Sequence, residues 1–77
     1  MNKVEFKITI NENEARTASL NSDEIVKSFL HQNPGFTCEK ISELSDDEII
    51  DTILNDDDLF SKLAGGKFNC KFNIEFV

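Results

Sequence analysis

Two stretches at opposite ends of the chain alternate strictly between apolar and polar residues. In the first stretch the apolar positions are Val4, Phe6, Ile8 and Ile10. In the second they are Phe68, Cys70, Phe72, Ile74 and Phe76. Successive side chains of an extended strand point to opposite faces, so each stretch has one apolar face to bury and one polar face to leave in water. The sequence therefore predicts a sheet that is covered on one side only.

A hairpin is expected to connect the first strand to a second, weaker one. Residues 11–14 read Asn-Glu-Asn-Glu, and asparagine tolerates the backbone angles of tight turns. Residues 15–20 would then return as the second strand.

Polar clusters mark the beginnings of three helices. Segments 21–24 and 45–48 follow the pattern of a capping box, and segment 55–58 is a looser copy. Apolar residues recur behind each cluster at helical spacing. The first helix is expected to bury Ile25, Val26, Phe29 and Leu30, the second Ile49, Ile50, Ile53 and Leu54, and the third Leu59, Phe60 and Leu63. Asn-Pro-Gly at 33–35 ends the first helix, and Gly65 with Gly66 ends the third.

These elements predict an α+β fold. Its small mixed sheet consists of the N-terminal hairpin and the C-terminal strand, with two or three short helices packed on one face. The 77 residues have room for one domain, spanning 1–77. Residues 36–41 would add a short strand through the alternation of Phe36 and Cys38. The resulting order of elements resembles the β-grasp plan of ubiquitin-like domains, in which the first and last strands lie side by side at the sheet centre. Such a resemblance carries no function.

Few residues offer catalytic or metal-binding chemistry. His31 is the single histidine, and its position near the end of the first helix suits an interaction with the helix dipole. Cys38 and Cys70 lie outside any Cys-x-x-Cys pattern, and we expect reduced, buried thiols in a cytoplasmic protein, leaving open whether they ever pair. The acidic loop at 11–14 fails as a calcium site because Arg16 stands where the glycine is needed. We therefore expect no enzyme activity, no cofactor, no metal site and no membrane span.

Charge is the remaining functional signal. The chain carries 15 acidic and 8 basic residues, a net charge of −7. Segment 39–58 contains nine of the acids and one base, Lys40. The acids predicted to bind a partner are Asp46, Asp47, Glu48, Asp51, Asp56, Asp57 and Asp58. Four of the bases, Lys3, Lys7, Lys67 and Lys71, fall on the polar side of the two strong strands.

These charges favour a non-catalytic protein-binding module that docks its acidic helical surface on a basic partner protein. A partner whose basic site holds nucleic acid would be inhibited by competition. In size and charge the chain is similar to small phage and mobile-element inhibitors, including anti-CRISPR proteins. Direct nucleic-acid binding is disfavoured because the net charge repels phosphates. Two alternatives stay open: a precursor cleaved after the double glycine at Gly66, and a structural subunit that self-associates through a sheet edge.

Overall fold

The part of the chain that the structure describes contains three strands and three helices in the order β-β-α-α-α-β. A computed structural model describes residues 2–66 and 70–77. The elements are β1 (Lys3–Ile10), β2 (Glu14–Asn21), α1 (Ser22–Gln32), a 3₁₀ turn (Ile41–Glu43), α2 (Asp46–Asn55), α3 (Asp57–Ala64) and β3 (Phe72–Phe76). The α+β class predicted from the sequence is confirmed.

The sheet is antiparallel, with the strand order β2-β1-β3. Strand β1 is therefore the central strand, paired on one side with its hairpin partner and on the other with the last strand of the chain. Directly opposite residues share a face, and the register sets Phe6 between Ala18 and Phe76. The first and last strands are adjacent, as the resemblance implies, but β3 is an edge strand and not a second central one. The prediction of a mixed sheet was wrong, because both pairings are antiparallel. The strand predicted to begin at Phe68 begins at Phe72, and residues 67–69 lie outside the described chain.

One face of the sheet is apolar and the other is polar, as the alternation predicts. Phe6, Ile8 and Ile10 of β1 are almost completely buried. The intervening residues, Lys3, Glu5 and Lys7, are exposed on the opposite face. Lys71 is also exposed, whereas Lys67 belongs to the segment that the structure does not describe.

The hairpin loop is shorter than predicted, because Glu14 already pairs with Ile10 as part of β2. Asn11 and Glu12 have positive φ angles of 53° and 67°, the left-handed conformation in which asparagine is favoured. The backbone N–H of Asn11 donates to the carbonyl oxygen of Lys71 at 2.8 Å, and its side-chain oxygen accepts from the Lys71 N–H at 3.1 Å. The hairpin turn thereby also positions the chain that leads into β3.

The helix starts agree with the predicted caps, with one shift. Ser45 and Glu48 form a complete capping box on α2, and the Asn21 side chain accepts from the N–H of Asp23 on α1. The third helix is capped by Asp56 and not by Asn55, because α2 extends through Asn55. Only one residue is therefore left between α2 and α3, and it serves as the end of one helix and the cap of the next.

The core lies between the apolar sheet face and the three helices. Its buried members are Phe6, Ile8, Ile10, Leu20, Ile25, Val26, Phe29, Leu44, Ile49, Ile53, Leu59, Leu63 and Ala64. Leu30 and Phe60 are half-buried and pack against this core, and Ile50 is half-buried without being part of it. The prediction for Leu54 was wrong, since half of this side chain is exposed at 50%. The buried stripe of α2 consists of Ile49, Thr52 and Ile53 at helical spacing, and Leu54 lies outside this stripe.

The short strand predicted at 36–41 is absent from the described structure. Residues 36–39 have no regular structure, and Ile41 begins the 3₁₀ turn instead. No strand of the sheet pairs with this segment. The likeness to the β-grasp plan is therefore limited to the adjacency of the first and last strands.

Helix α3 ends at the predicted double glycine. Gly65 adopts a left-handed conformation with φ 67°, which a residue without Cβ adopts most easily. The guanidinium group of Arg16 on β2 occupies the space into which a Cβ at this position would project. The left-handed backbone is the reason that glycine is favoured here, since the exposed Arg16 side chain could move away from a Cβ.

Two neighbouring residues of α2 give a direct test of this packing. Ile53 is fully buried, whereas Leu54 is 50% exposed. We expect Ile53→Ala to lower the free energy of unfolding by about 2–5 kcal/mol because it leaves a cavity in the core. Leu54→Ala should cost less than about 1 kcal/mol. Urea denaturation compares the two, with Ile53→Val as a milder core control; equal losses at the two positions would contradict the described packing.

Candidate partner-binding surface

The seven acids predicted to bind a partner are distributed along α2 and at the junction between α2 and α3. Asp46, Asp47 and Glu48 occupy the first turn of α2, and Asp57 and Asp58 occupy the first turn of α3. All of the seven are exposed except Asp56, which is half-buried. We call these seven residues the acidic surface; they form one group at each end of α2, with Asp51 between the two groups.

Glu48 has a local structural role. Its carboxylate accepts from the backbone N–H of Ser45 at 3.0 Å, while its own N–H donates to the Ser45 hydroxyl at 3.2 Å. A similar local use occurs upstream, where Glu43 accepts from the N–H of Glu39 at 2.8 Å. This backbone hydrogen bond is the main reason that the pKa of Glu43 lies below its usual value. Both carboxylates stabilise turns of their own segment.

Asp56 connects three elements of the fold. One carboxylate oxygen accepts from the N–H groups of Asp58 and Leu59 at 3.0 and 3.2 Å, and the other accepts from the Ser28 hydroxyl of α1 at 2.6 Å. The hydrogen bond from Ser28, followed by those from the α3 backbone, holds the pKa of Asp56 below its usual value against the opposing effect of burial. Asp56 therefore fixes α3 against α1, and its oxygens are already engaged within the chain.

Asp47 and Asp51 differ from the acids that cap helices. Both are exposed, and they lie one turn apart on α2. Like charges at this spacing destabilise a helix by about 0.2–0.5 kcal/mol. The helix dipole stabilises Asp47 in the first turn, but it offers little to Asp51 in the middle of the helix. Asp51 is thus the acid of this surface whose position the local structure does not account for.

A groove of about 320 Å³ opens beside Asp51, between α2 and the end of α1. Its lining consists of Phe29, Gln32, Asn33, Phe36, Glu48, Asp51, Thr52 and Asn55. Gln32 forms a fixed part of the wall, because its amide donates to the Ser28 hydroxyl at 3.0 Å and to the Thr52 carbonyl at 3.1 Å. The groove therefore combines an aromatic side, a rigid polar wall and two carboxylate-bearing residues.

Phe36 is the residue of this groove that the sequence reasoning missed as a functional candidate. It is 63% exposed, and its ring meets the edge of Phe29 with the ring centres 5.9 Å apart. The Pro34–Gly35 turn places it there, with its N–H donating to the Asn33 carbonyl at 3.3 Å. An exposed aromatic face close to carboxylates is a favourable environment for a lysine or arginine side chain. The signal in the sequence was a phenylalanine directly after a helix-ending turn.

A second groove, of about 540 Å³, lies between α1 and α3. Leu30 and Leu59 contribute apolar surface, and Lys27, His31 and Lys62 surround it. Lys62 forms a salt bridge of 3.0 Å with Glu24 across the groove. Because this pair is neutral as a whole, the larger groove offers less charge to select a partner than the acidic one.

Both cysteines of the chain lie among the described residues. Cys38 and Cys70 are half-buried and not joined by a disulfide. Desolvation, aided by the nearby Glu43 carboxylate, raises the pKa of the Cys38 thiol, which disfavours the reactive thiolate. In residues 2–66 and 70–77, no group of three or more His, Cys, Asp or Glu side chains is arranged to hold a metal ion.

Comparison with known proteins identifies no relative: no family model, no curated protein and no solved structure matches the chain. Of the helices in the described residues, none has the length and apolar character needed to cross a membrane.

The hydrogen bonds of Asp56 predict a pH-dependent contribution to stability. Asp56→Asn keeps a good N-cap residue and removes the charge. The lowered pKa means that the charged form favours folding, so this stability is present above the usual value of 3.8 and is lost as the pH falls through the lower folded-state pKa. We expect the wild type to be the more stable protein at neutral pH and the difference to shrink below about pH 4.

Urea denaturation at neutral and acidic pH measures this difference. Asp47→Asn serves as a control, because it makes the same change in net charge at an exposed site. A difference between wild type and Asp56→Asn that stays constant with pH would contradict the assigned role of the carboxylate.

Proposed function

We propose that this chain is a non-catalytic binding module that docks its acidic surface on a basic site of another protein. The groove beside Asp51 provides the anchor, where a lysine or arginine side chain of the partner lies against Phe36 and close to the carboxylates of α2. The remaining exposed acids surround this anchor and contribute long-range attraction.

The position of Asp51 is the observation that carries this proposal. Its charge is exposed in mid-helix, one turn from Asp47, and it lines the same groove as the exposed ring of Phe36. Solubility alone explains exposed acids, but it does not explain an exposed aromatic ring beside them. A basic side chain in the groove would relieve the repulsion between the carboxylates and cover the ring.

Electrostatics supports a basic partner more than a neutral one. The net charge of −7 and the nine acids of segment 39–58 produce a negative field on the helical side of the molecule. Such a field accelerates association with a positive surface, and salt weakens it. If the partner's basic site normally holds nucleic acid, the carboxylates take the place of phosphates and the chain acts as a competitive inhibitor.

The precursor alternative receives less support. Cleavage after Gly66 would release a piece that contains β3, which pairs along its whole length with the central strand β1. Removing it would expose one side of β1 and the rings that pack on it. The intact chain is therefore the form we propose to be functional.

Charge reversal tests the acidic surface. In the double variant Asp47→Lys/Asp51→Lys we expect partner affinity to fall at least about tenfold, because both attraction and the anchoring carboxylate are lost. The partner is first captured from host lysate with the tagged chain at low and moderate salt, and the affinity of the purified pair is then measured by calorimetry.

The control variant Glu5→Lys/Glu12→Lys makes the same change in net charge away from the helices, at exposed residues of β1 and the hairpin loop. It should retain most of the affinity. Equal losses in the two double variants would indicate a general charge effect, and an unchanged affinity in the α2 variant would refute the acidic docking surface.

The anchor is tested separately at Phe36. Because this ring is 63% exposed, Phe36→Ala should change the free energy of unfolding by less than about 1 kcal/mol. Its affinity for the partner should fall by roughly 1–2 kcal/mol if a cation lies on the ring. Phe36→Leu keeps apolar contact without the aromatic face, so affinity equal to that of the wild type in Phe36→Leu would argue against a cation in the groove.

A further inference from the structure

The two outer edges of the sheet differ in chemistry. Strand β2 sets Glu14 and Arg16 opposite Ile10 and Ile8, so both charged residues lie on the apolar face of the sheet. Inward-pointing charges on an edge strand are a known protection against pairing with another sheet. The edge strand β3 has apolar residues at every equivalent position, with no proline and no charge among them. These residues are Phe72, Ile74 and Phe76.

The ends of the β1–β3 ladder show which backbone groups of β3 point outwards. The N–H of Asn11 donates to the carbonyl of Lys71 at 2.8 Å, and the N–H of Val77 donates to the carbonyl of Glu5 at 3.3 Å. Alternate residues of an antiparallel strand bond to the same neighbour, so the odd-numbered residues of β3 bond to β1. The residues whose N–H and C=O groups face away from β1 are therefore Phe72, Ile74 and Phe76.

The side chains of these same three residues are incompletely covered. Each is half-buried, whereas Phe6, Ile8 and Ile10 beside them on β1 are almost fully buried. Phe72 contacts Phe60 of α3 with ring centres 4.9 Å apart, and Phe76 contacts Phe6 at 5.0 Å. Helices α1 and α3 pack on the same apolar face, mainly over its β2 half. The β3 edge thus combines outward-facing backbone groups with apolar surface that the described chain leaves partly open.

We propose that β3 pairs with β3 of a second copy in an antiparallel arrangement centred on Ile74. The pair brings Ile74 opposite the partner's Ile74 and Phe72 opposite the partner's Phe76. The outward N–H and C=O groups of each copy then meet those of the other, and the two sheets join into one continuous sheet. The apolar faces also join, which covers the exposed parts of both phenylalanines.

The pattern of β3 is what selects a second copy as the occupant. The sequence Phe-Asn-Ile-Glu-Phe has the same apolar positions when it is read in either direction from Ile74. A two-fold axis at this residue therefore makes every favourable contact twice. On the polar face, Asn73 comes opposite the partner's Glu75, and the same two residues are joined within one chain by a hydrogen bond of 2.9 Å. No like charges are placed opposite one another.

Salt separates this dimer from the docking of the acidic surface. Two copies that each carry a net charge of −7 repel each other, and salt screens that repulsion. Dimerisation through β3 should therefore strengthen with added salt, whereas binding of a basic partner should weaken. Dimerisation through β3 can therefore be absent while the acidic surface still binds its partner, and partner binding can be absent while the dimer forms.

Sedimentation velocity over a range of protein concentrations, at low and high salt, tests the dimer. Ile74→Pro removes a backbone N–H that the pairing with β1 does not use, and proline is tolerated on edge strands. Ile74→Ala is the matched control, because it loses the side chain and keeps the N–H. We expect the wild type to dimerise, Ile74→Ala to dimerise more weakly, and Ile74→Pro to stay monomeric with an intact circular dichroism spectrum.

Amide hydrogen exchange of the wild type provides a second measurement that needs no variant. The Ile74 amide should become protected as the concentration rises, whereas the amides of Asn73 and Glu75, which bond to β1, should be protected at all concentrations. A wild type that stays monomeric at every concentration and salt overturns the proposal. So does a dimer in which the Ile74 amide exchanges freely, or one that persists in Ile74→Pro.

Discussion

Strand β1 is the central strand and has a strongly apolar face. The other strands and the helices are arranged so that this face is buried. Phe6, Ile8 and Ile10 are buried almost completely, and each contributes roughly 1.5–3 kcal/mol by leaving water. A domain of this size has a small stability margin, so that contribution has to be realised in full. The two neighbouring strands satisfy the backbone of β1, and the helices cover its side chains. The polar face of the same strand needs no cover.

Acidic residues fulfil two different roles in this molecule. Glu48 and Asp56 accept hydrogen bonds from backbone N–H groups at helix starts, and Asp56 also accepts from Ser28 of α1. These acids define where α2 and α3 begin and how α3 lies against α1. Asp51 adds charge in mid-helix that no helix start uses, and it lines the groove that contains Phe36. The proposed function depends on this exposed charge beside the groove.

The helices cover the apolar face of the sheet unevenly. Both the proposed docking of the acidic surface and the proposed dimer through β3 follow from this uneven cover. The helices lie over the β2 side, where Arg16 reaches the end of α3 at Gly65. The acidic surface lies on α2 and at the start of α3, while no strand of the described residues pairs with the outer edge of β3. One surface is charged and suited to a basic partner, and the other is apolar and suited to its own copy. The two respond to salt in opposite directions because attraction drives the first and repulsion opposes the second.

Sequence alone determined the features that depend on neighbouring residues: the alternation of the strands, the capping box at Ser45 and the glycine stop at Gly65. Periodicity and caps are local, so a single chain segment carries the whole signal. Tertiary structure decided what depends on distant segments. It moved the cap of α3 to Asp56, left Leu54 exposed and denied residues 36–41 a strand partner. It also brought Phe36 beside α2 and left β3 as an open edge, because packing between elements sets which faces remain uncovered.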